Sequence, residues 1–565
     1  MTQTRPAPPR PNPSFTADLR NRVAALPLAT KVELLTGRTS WKLYPAPEVG
    51  LDEIVVSDGP TGIRGTEETE DHTSISLPSP SAMAATWDPD LVRRAGSVHA
   101  TEARRHGIDV ILGPVVNLQR SPVGGRHFEC QSEDPLLSGV MAAAIVDSIQ
   151  AEGVGVCLKH FIANESETLR TQYLARVAER TLREVYLAPF ELVVRESHPW
   201  SVMASYNRLD DGVESAPAVA HHRLLTDLLK DEWRYDGLVI SDWTAARTTV
   251  EPALGGLDLV MPGPAGPWSH GQLLAAVTDG RVPEEFIDDK VLRLLLLASR
   301  VGKLDGYPEP IPAAAETEPD QLIRHLAGRA VVVLSDADQS VPVAEPGEVG
   351  SIALIGPNAV EPFVQGGGSA LVNPAAIVTA EAAFAEAFPN ATITVSRGAD
   401  SRVTPSAAAG GVSDPVTGQP GGFVQFLDDA GAVLGERRGA EADIFWREVP
   451  QGATRLRLSA DLALQEPGEH WVGLGTPGAH QLWIDDDLVS SDDTELSGGE
   501  VLLRSLHHAP PYHGVPVTGP GTARVVAEVQ VYSDEVWDPF ARLVLHHLRP
   551  EPSPEDLLAQ AVAAA

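Results

Sequence analysis

A short apolar segment that ends in polar residues recurs six times in the first half of the chain, and a stretch with helical spacing follows most of these segments. Strands that alternate with helices at this spacing indicate a mainly parallel α/β architecture. Six units within about 250 residues favour a (β/α)8-type barrel over two Rossmann halves. The six segments are IVVSDGP (54–60), IDVILGPVVNLQR (108–120), GVGVCLKHFIANE (153–165), WSVMASYNRLDDG (200–212), GLVISDW (237–243) and GGLDLVMPGP (255–264).

The pattern changes twice along the rest of the chain. A stretch rich in Pro, Ala and acidic residues is typical of a linker, and a second α/β segment follows it. Short strands with period-two alternation and Gly, Pro and Asp turns then predict an all-β domain. The predicted segments are a disordered arm (1–14), the barrel (15–305), a linker (306–321), a second α/β segment (322–401), the all-β domain (402–550) and a C-terminal helix (551–565).

Composition narrows the possible partners. The chain has 565 residues, 43% of them hydrophobic, and a net charge of −34 from 43 Lys and Arg against 77 Asp and Glu. So acidic a protein is not expected to bind nucleic acid or an anionic membrane, whereas neutral sugars are compatible with it. The N-terminus lacks the apolar core of a secretory signal, and a cytoplasmic location is the expectation. Cys130 and Cys157 are expected to be free, buried thiols.

Candidate chemistry lies where the apolar segments end. In a barrel of this type the site is built from residues at the carboxyl ends of different strands. Asp242 follows such a run and precedes Trp243, and a carboxylate beside an aromatic ring suits a sugar-cleaving site. Each residue also has a structural interpretation: Asp242 could cap a helix, Lys159 could neutralise an acid, and His160 and Tyr206 could be core residues. Their joint position at strand ends favours a site made of Asp58, Arg126, Lys159, His160, Tyr206 and Asp242.

Several of these motifs together resemble glycoside hydrolase family 3, the β-glucosidase-type family. The motifs are SDGPTGIRG (57–65), GGRHFECQSEDP (124–135), KHFIANESE (159–167), SVMASYN (201–207) and GLVISDW (237–243). The resemblance continues through IALIGPNAV (352–360) and QGGGSALVNP (365–374), which are similar to the start of that family's α/β sandwich domain. It implies a barrel followed by the first part of this sandwich at 322–401, and the β segment is similar to a PA14 module inserted there.

The resemblance also implies roles for individual residues. Asp242 would be the nucleophile of a retaining hydrolysis of terminal β-D-glucosyl residues, and Trp243 would face the aglycone. Substrates would be small β-glucosides or short oligosaccharides, with no cofactor and no metal. The His221–His222 and His546–His547 pairs are interpreted as surface residues, and Asp485–Asp487 as a turn rather than a calcium site. The subsite for the non-reducing sugar would be lined by Asp58, Arg64, Arg126, Lys159, His160, Met203 and Tyr206.

The general acid is where the sequence departs from the family pattern. In members with a PA14 insert the acid is a Glu beyond further strands of the sandwich, and we expect it to be missing from this chain, whose last residue is Ala565. Three explanations are open: a fragment, a second polypeptide that complements the chain, or lost activity in a glycan-binding protein. Glu129, Glu165 and Glu167 lie near the predicted site as weaker substitutes. A homo-oligomer is also possible.

Overall fold

The computed structural model describes residues 13–66, 73–269, 271–308, 311, 318–335, 346–400, 407–408, 410–446, 448–498, 501, 512–533, 539–550 and 552–565. The chain forms two compact units, 1–335 with 365–376 and 336–364 with 377–565. The arm predicted at 1–14 lies outside the described residues except for Pro13 and Ser14.

The first unit is organised around a five-stranded parallel sheet with the strand order β1-β2-β3-β5-β8. Parallel bridges from Ile240 to Leu259 and from Thr36 to Val260 extend the pairing beyond β8. The predicted α/β fold with a parallel sheet is confirmed, whereas closure into an eight-stranded barrel stays a prediction. The strands of this unit are β1 (Val56–Asp58), β2 (Val110–Leu112), β3 (Gly155–Phe161), β4 (Leu174–Arg176), β5 (Ser201–Ala204), β6 (Arg208–Asp210), β7 (Ser215–Pro217) and β8 (Leu238–Ser241).

The strands of the parallel sheet are buried along their whole length. This explains why they read as continuous apolar runs, because helices cover both faces of such a sheet. The shorter strands β4, β6 and β7 form a separate three-stranded sheet.

Two of the long helices of the first unit, α4 and α5, begin at clear capping signals. The Asp88 and Asp134 side chains accept hydrogen bonds from Leu91 N and Leu137 N, and a proline occupies the first helical position after each of them. The helices are α1 (Ala17–Ala25), α2 (Leu28–Glu33), α3 (Pro80–Ala85), α4 (Pro89–Arg105), α5 (Pro135–Ala151), α6 (Glu179–Thr181), α7 (Ala188–Ser197), α8 (Val250–Gly255), α9 (Gln272–Thr278), α10 (Glu284–Arg300) and α11 (Pro319–Arg329), with a further helical segment at Arg223–Glu232.

Helix α11 belongs to the first unit, although the sequence places the start of the second α/β segment at 322. It packs against α3 and α4, and its Leu322 and Leu326 are buried. The two apolar residues lie four positions apart on one face of α11, and burial of this face against the first unit holds the helix there. No described helix has both the length and the apolar run that crossing a bilayer requires.

The second unit contains a small α/β part and a larger all-β part. Strands β9 (Ser351–Ile355) and β10 (Thr392–Ser396) pair in parallel. The helices of this unit are α12 (Pro357–Val360), α13 (Ala380–Ala387) and α14 (Pro554–Ala564). Helix α14 packs against β9 and β10, and its N-cap is Ser553, whose side chain accepts a hydrogen bond from Asp556 N.

The all-β part is one antiparallel sheet system that surrounds an apolar core. The two long strands, β15 (Arg455–Gly475) and β18 (Tyr512–Gln530), pair along most of their length, with a shift in register between Leu464 and Gly468. The first half of β15 pairs with β12 and the second half with β19, so the sheet folds over its own core. The strands are β11 (Val412–Ser413), β12 (Gly422–Leu427), β13 (Val433–Ala440), β14 (Asp443–Trp446), β15 (Arg455–Gly475), β16 (His480–Ile484), β17 (Asp487–Asp492), β18 (Tyr512–Gln530) and β19 (Ala541–Leu548).

Two sequence interpretations meet different outcomes here. Asp485 and Asp486 connect β16 to β17 with φ values of 51° and 72°, as the central residues of a tight hairpin turn, so the turn interpretation is confirmed. The surface interpretation of the histidine pairs is wrong for one member of each, because His221 and His546 are buried. Side chains on a strand alternate between faces and helical side chains point in different directions, so neighbours in sequence differ in exposure.

We expect Leu158→Ala to lower the free energy of unfolding of the first unit by about 3 kcal/mol, because it opens a cavity in the sheet beside Val202. Denaturant unfolding measures the loss. Leu136→Ala is the matched control, since Leu136 is 65% exposed and the same truncation should change stability by less than about 0.5 kcal/mol. Equal losses for the two variants would contradict the assigned core.

Candidate active site

The parallel sheet brings the predicted site residues to one edge. Asp58 ends β1, Lys159 and His160 lie near the end of β3, and Asp242 follows β8 directly. Parallel strands present their carboxyl ends at the same edge, so residues far apart in sequence meet there. The Asp242 amide still donates to Ala204 O of β5 at 2.9 Å, which places the carboxylate at the last rung of the ladder.

Asp242 carries a carboxylate with one oxygen held and one oxygen unengaged. The Trp243 amide donates to Oδ1 at 2.8 Å, whereas Oδ2 is buried and has no hydrogen-bond donor among the described residues. Burial raises the pKa of Asp242 above its usual 3.8, and the nearby charges of Arg126, Arg170 and Lys159 oppose that rise. The side chain is therefore a desolvated carboxylate surrounded by cations.

Lys159 and Asp58 form a buried ion pair in the same site. Lys159 Nζ donates to Asp58 Oδ1 at 2.7 Å, and both side chains are more than nine-tenths buried. Burial alone would lower the pKa of Lys159, but Asp58 and Glu129 outweigh it and the net shift is upward. Lys159 therefore stays charged, and the pair offers a donor and an acceptor in adjoining positions.

His160 is held in one tautomer by its neighbours. The His160 amide donates to Asn117 Oδ1 at 2.8 Å, and Asn117 Nδ2 donates to His160 O at 3.1 Å, which fixes the orientation of the amide. Nδ1 of the ring lies 3.0 Å from the same oxygen and must donate to it. Arg126 Nη2 lies 3.1 Å from Nε2, which therefore accepts. His160 Nε2 lies 3.8 Å from Asp242 Oδ2, so in this tautomer the contact is not an ion pair.

Arg126 belongs to a chain of alternating charges behind the site. Its guanidinium donates to both oxygens of Glu129, at 2.7 and 3.1 Å, and lies 3.8 Å from Glu167. Glu167 in turn accepts from Arg170 at 2.9 Å. Two of the three acids considered as substitute general acids, Glu129 and Glu167, are thus engaged with arginines.

Arg170 is a site residue that the sequence analysis missed. It is 4% exposed, its guanidinium lies 4.6 Å from the centre of the Tyr206 ring, and its charge acts on Asp242. Its position three residues after Glu167 was the available signal, because that spacing allows an ion pair within a turn.

Tyr206 follows β5 and lies close to Asp242 and Arg170, whereas the assignment of Met203 to the site stays a prediction. Met203 lies within β5 and is 2% exposed. Burial and the negative charge of Asp242 raise the pKa of Tyr206 well above its usual 10, so the phenol keeps its proton. Tyr206 therefore contributes a hydroxyl that can donate a hydrogen bond.

Trp243 stands in an aromatic cluster with a second residue that the sequence analysis missed. Its ring centre lies 5.4 Å from that of Trp41 at an angle of 37°, and its Nε1 donates to Ser40 O at 3.0 Å. The Arg64 guanidinium lies 4.9 Å from the centre of the Trp41 ring. We call Trp41, Arg64 and Trp243 the aromatic cluster. It adjoins the carboxylate, because the Trp243 amide is bonded to Asp242.

Glu165 has a different environment from the other acids near the site. Its Oε1 accepts from Asn117 Nδ2 at 3.3 Å and from Leu118 N at 3.4 Å. Burial raises the pKa of Glu165 to about 7 despite these bonds. Because Asn117 also holds His160, Glu165 is connected to the site through that amide.

The arrangement is suited to binding and attacking a polyhydroxylated neutral molecule. It combines a buried carboxylate, several buried donors and acceptors, and aromatic surface at one side. Within the part of the chain that the structure describes, no three His, Cys, Asp or Glu side chains are grouped so as to hold a metal ion. The free thiols Cys130 and Cys157 are buried, and burial raises the pKa of each well above its usual 9.

Known proteins are similar to this chain in both sequence and structure. A β-glucosidase of Rhizobium radiobacter is 36% identical over 82% of this chain and 56% of its own length. β-Glucosidase B of Emericella nidulans is 34% identical over 84% of this chain and 56% of its own. The chain therefore spans 56% of the length of these two relatives.

Solved structures agree with these relatives. The β-glucosidase of Kluyveromyces marxianus, in complex with glucose, superposes with a TM-score of 0.79 at 25% identity, over 97% of this chain and 67% of that one. A β-glucosidase of Streptomyces venezuelae in complex with D-glucose gives a TM-score of 0.67 at 26% identity, over 97% and 66%. Residues 54–297 match the model of the glycosyl hydrolase family 3 N terminal domain. The strands of the parallel sheet and Asp242 lie within the part of the chain that this model matches.

Proposed function

We propose that this chain carries the sugar-binding and nucleophile part of a retaining β-glucosidase of glycoside hydrolase family 3. The observation that carries the proposal is the Asp242 carboxylate: one oxygen is fixed by the Trp243 amide, and the other is buried and meets no donor in the part of the chain that the structure describes. Leaving a buried carboxylate oxygen unengaged is costly, and such strain is typical of an atom that meets a substrate. The names of the relatives support a β-glucoside as that substrate.

The proposed reaction proceeds in two displacements. Asp242 Oδ2 attacks the anomeric carbon, the bond from that carbon to the glycosidic oxygen breaks, and a covalent glycosyl-enzyme forms. A general acid gives its proton to the departing oxygen. Water then gives a proton back to that group as it attacks the same carbon, the bond from that carbon to Asp242 Oδ2 breaks, and the sugar and the carboxylate are released. The surrounding cations favour the ionised form that the attack requires.

The residues around Asp242 would bind the sugar hydroxyls. Asp58 accepts and Lys159 donates from adjoining positions, so a vicinal pair of hydroxyls can bond to both. Arg126, in its present contact with His160, presents further N–H groups toward the same region, and the protonated Tyr206 adds a hydroxyl. A site built on such paired bonds discriminates strongly against sugars that lack a hydroxyl.

The proposal includes the finer assignments made from the sequence. These are an eight-stranded barrel around the parallel sheet, the PA14-like identity of the 402–550 segment, and short oligosaccharides or small β-glucosides as substrates. A general acid contributed by a complementing polypeptide, or assembly into a homo-oligomer, is part of the same hypothesis.

We expect the protein to release 2,4-dinitrophenol from 2,4-dinitrophenyl β-glucoside, and Asp242→Ala to lower kcat by about 10³-fold or more. This leaving group departs without a proton, so the first displacement, seen as the initial release of dinitrophenol, does not require the general acid. Dinitrophenol absorbance follows the reaction. A 2-fluoro-2-deoxyglucoside with the same leaving group should label the peptide that contains Asp242.

The control for this experiment is glucose binding measured by calorimetry. If both proteins are inert and both bind glucose, the chain is a glycan-binding protein rather than an enzyme. A label on any other peptide would refute Asp242 as the nucleophile.

Asp242→Asn is expected to raise the melting temperature by about 2–4 °C at pH 7. The folded-state pKa of Asp242 lies above its unfolded value, so ionising this carboxyl destabilises the folded state. The destabilisation is complete at a pH above the folded-state pKa and is absent at a pH below the unfolded-state pKa. The difference from the parent should therefore vanish below about pH 4. Thermal denaturation between pH 3.5 and pH 8 measures it.

Asp236→Asn is the matched control for that experiment. Although burial opposes the shift, its ion pair with Arg300 lowers the pKa of Asp236. The sign is therefore reversed: this variant should be destabilised at pH 7 and approach the parent as the pH falls. A lower melting temperature for Asp242→Asn at every pH would contradict the assigned environment.

We expect the aromatic cluster to contact the leaving group. Trp41→Ala should raise KM for 2,4-dinitrophenyl β-glucoside by about 3- to 10-fold, because a ring-on-ring contact is lost. KM for β-glucosyl fluoride, which has no aromatic leaving group, should change by less than twofold. Trp41→Phe, which keeps a ring, should recover most of the loss. Equal effects of Trp41→Ala on both substrates would show that Trp41 supports the fold rather than the aglycone.

A further inference from the structure

A second cavity opens at the other end of β8 from Asp242. Its volume is about 790 Å³. Its walls come from the residues just before β8, from the helical segment 223–232, from α10, from the end of α7 with His198, and from Pro13, Ser14 and Gly256. Asp236 lines it and precedes Asp242 by six residues of extended chain, which is about 20 Å. The cavity is therefore remote from the proposed catalytic site.

The buried side chains on its wall include an ammonium group with no hydrogen bond among the described residues. Lys290 is 2% exposed, and its Nζ lies 4.0 Å from Asp258 Oδ1. That oxygen already accepts from Lys230 at 2.5 Å, and Asp258 Oδ2 accepts from Val239 N at 2.9 Å. The other contact of the Lys290 ammonium is the Trp268 ring, whose centre is 6.0 Å away.

The cluster around Lys290 has one more cation than it has acids. Lys230, Lys290 and Arg293 face Asp258 and Asp289, and Asp289 is already paired with Arg293 at 2.9 Å. Burial, with the charges of Lys230 and Arg293, lowers the pKa of Lys290 to about 7 despite the two acids. An uncompensated buried cation is costly, so the imbalance calls for an anion or for loss of the proton.

The other unengaged polar groups on this wall are also able to donate. The Trp233 Nε1 and the Tyr235 hydroxyl are buried without partners among the described residues. Indole nitrogen and ammonium are donors only, which selects a ligand rich in acceptors. Three further acids line the cavity. Asp236 is already paired with Arg300 at 2.8 Å, Asp231 has a partner of its own, and Glu196 is exposed to solvent, where its charge is screened.

We propose that this cavity binds a small oxyanion, a phosphate or carboxylate group, which accepts hydrogen bonds from Lys290 and Trp233. Such a ligand supplies the missing negative charge and satisfies both donors. A neutral sugar would leave the charge uncompensated, and a cation would add to the imbalance. The cavity is large enough for the anion to be part of a metabolite-sized molecule.

Binding of inorganic phosphate and of acetate to the full chain, measured by calorimetry against sodium chloride at equal ionic strength, tests the proposal. Both anions should bind with saturation, and Lys290→Met should weaken binding at least tenfold. Because an anion favours the charged lysine, binding at pH 8 should take up protons, seen as a dependence of the heat on the ionisation enthalpy of the buffer.

Two further variants keep the test decisive. Lys303→Met makes the same substitution at a partly exposed lysine paired with Asp109 and should bind as the parent does. Trp233→Phe keeps the ring, removes the N–H and should weaken binding by about 3- to 10-fold. If Lys290→Met does not fold, the binding measured for Trp233→Phe tests the proposal. Heats equal to those of chloride, or unchanged binding in both Lys290→Met and Trp233→Phe, would overturn the proposal.

Discussion

The attraction between the Asp242 carboxylate and the cations around it is the interaction on which the site depends. Removing a carboxylate from water costs several kcal/mol, and charges at hydrogen-bonding or near-contact distance must offset that cost. Arg126, Arg170 and Lys159 lower the pKa of Asp242 while burial raises it, and burial is the larger effect. Burial thus opposes ionisation of this carboxylate while the three cations favour it, so the group is poorly satisfied in the folded protein.

The cations are themselves held by acids. Glu129 binds Arg126, Glu167 binds Arg170, and Asp58 binds Lys159. Each acid fixes one long side chain in place, so the positive charges are positioned before a substrate arrives. Fixed charges need no reorganisation during a reaction, which is the main source of electrostatic catalysis.

The two ends of β8 show opposite imbalances. At its carboxyl end, a carboxylate oxygen of Asp242 meets no donor among the described residues. Beside its amino end, the Lys290 ammonium comes no closer than 4.0 Å to the Asp258 carboxylate. A parallel sheet covered by helices has an apolar middle, so charged side chains gather at the strand ends, where they are buried by different loops. The unsatisfied carboxylate oxygen of Asp242 suits a neutral ligand with hydroxyl groups, and the excess positive charge around Lys290 suits an anion.

The sequence by itself determined which residues end the strands. Apolar runs that stop at Asp58, at Lys159–His160 and at Asp242 are visible without a structure, because burial on both faces demands them. Only the tertiary structure decided that Arg170, Asn117 and Trp41 join the site, since they come from loops whose path depends on distant packing. The same holds for the burial of His221 and for the docking of α11 on the first unit. Local periodicity reports which face of an element is apolar, and the element that covers that face is fixed by contacts remote in sequence.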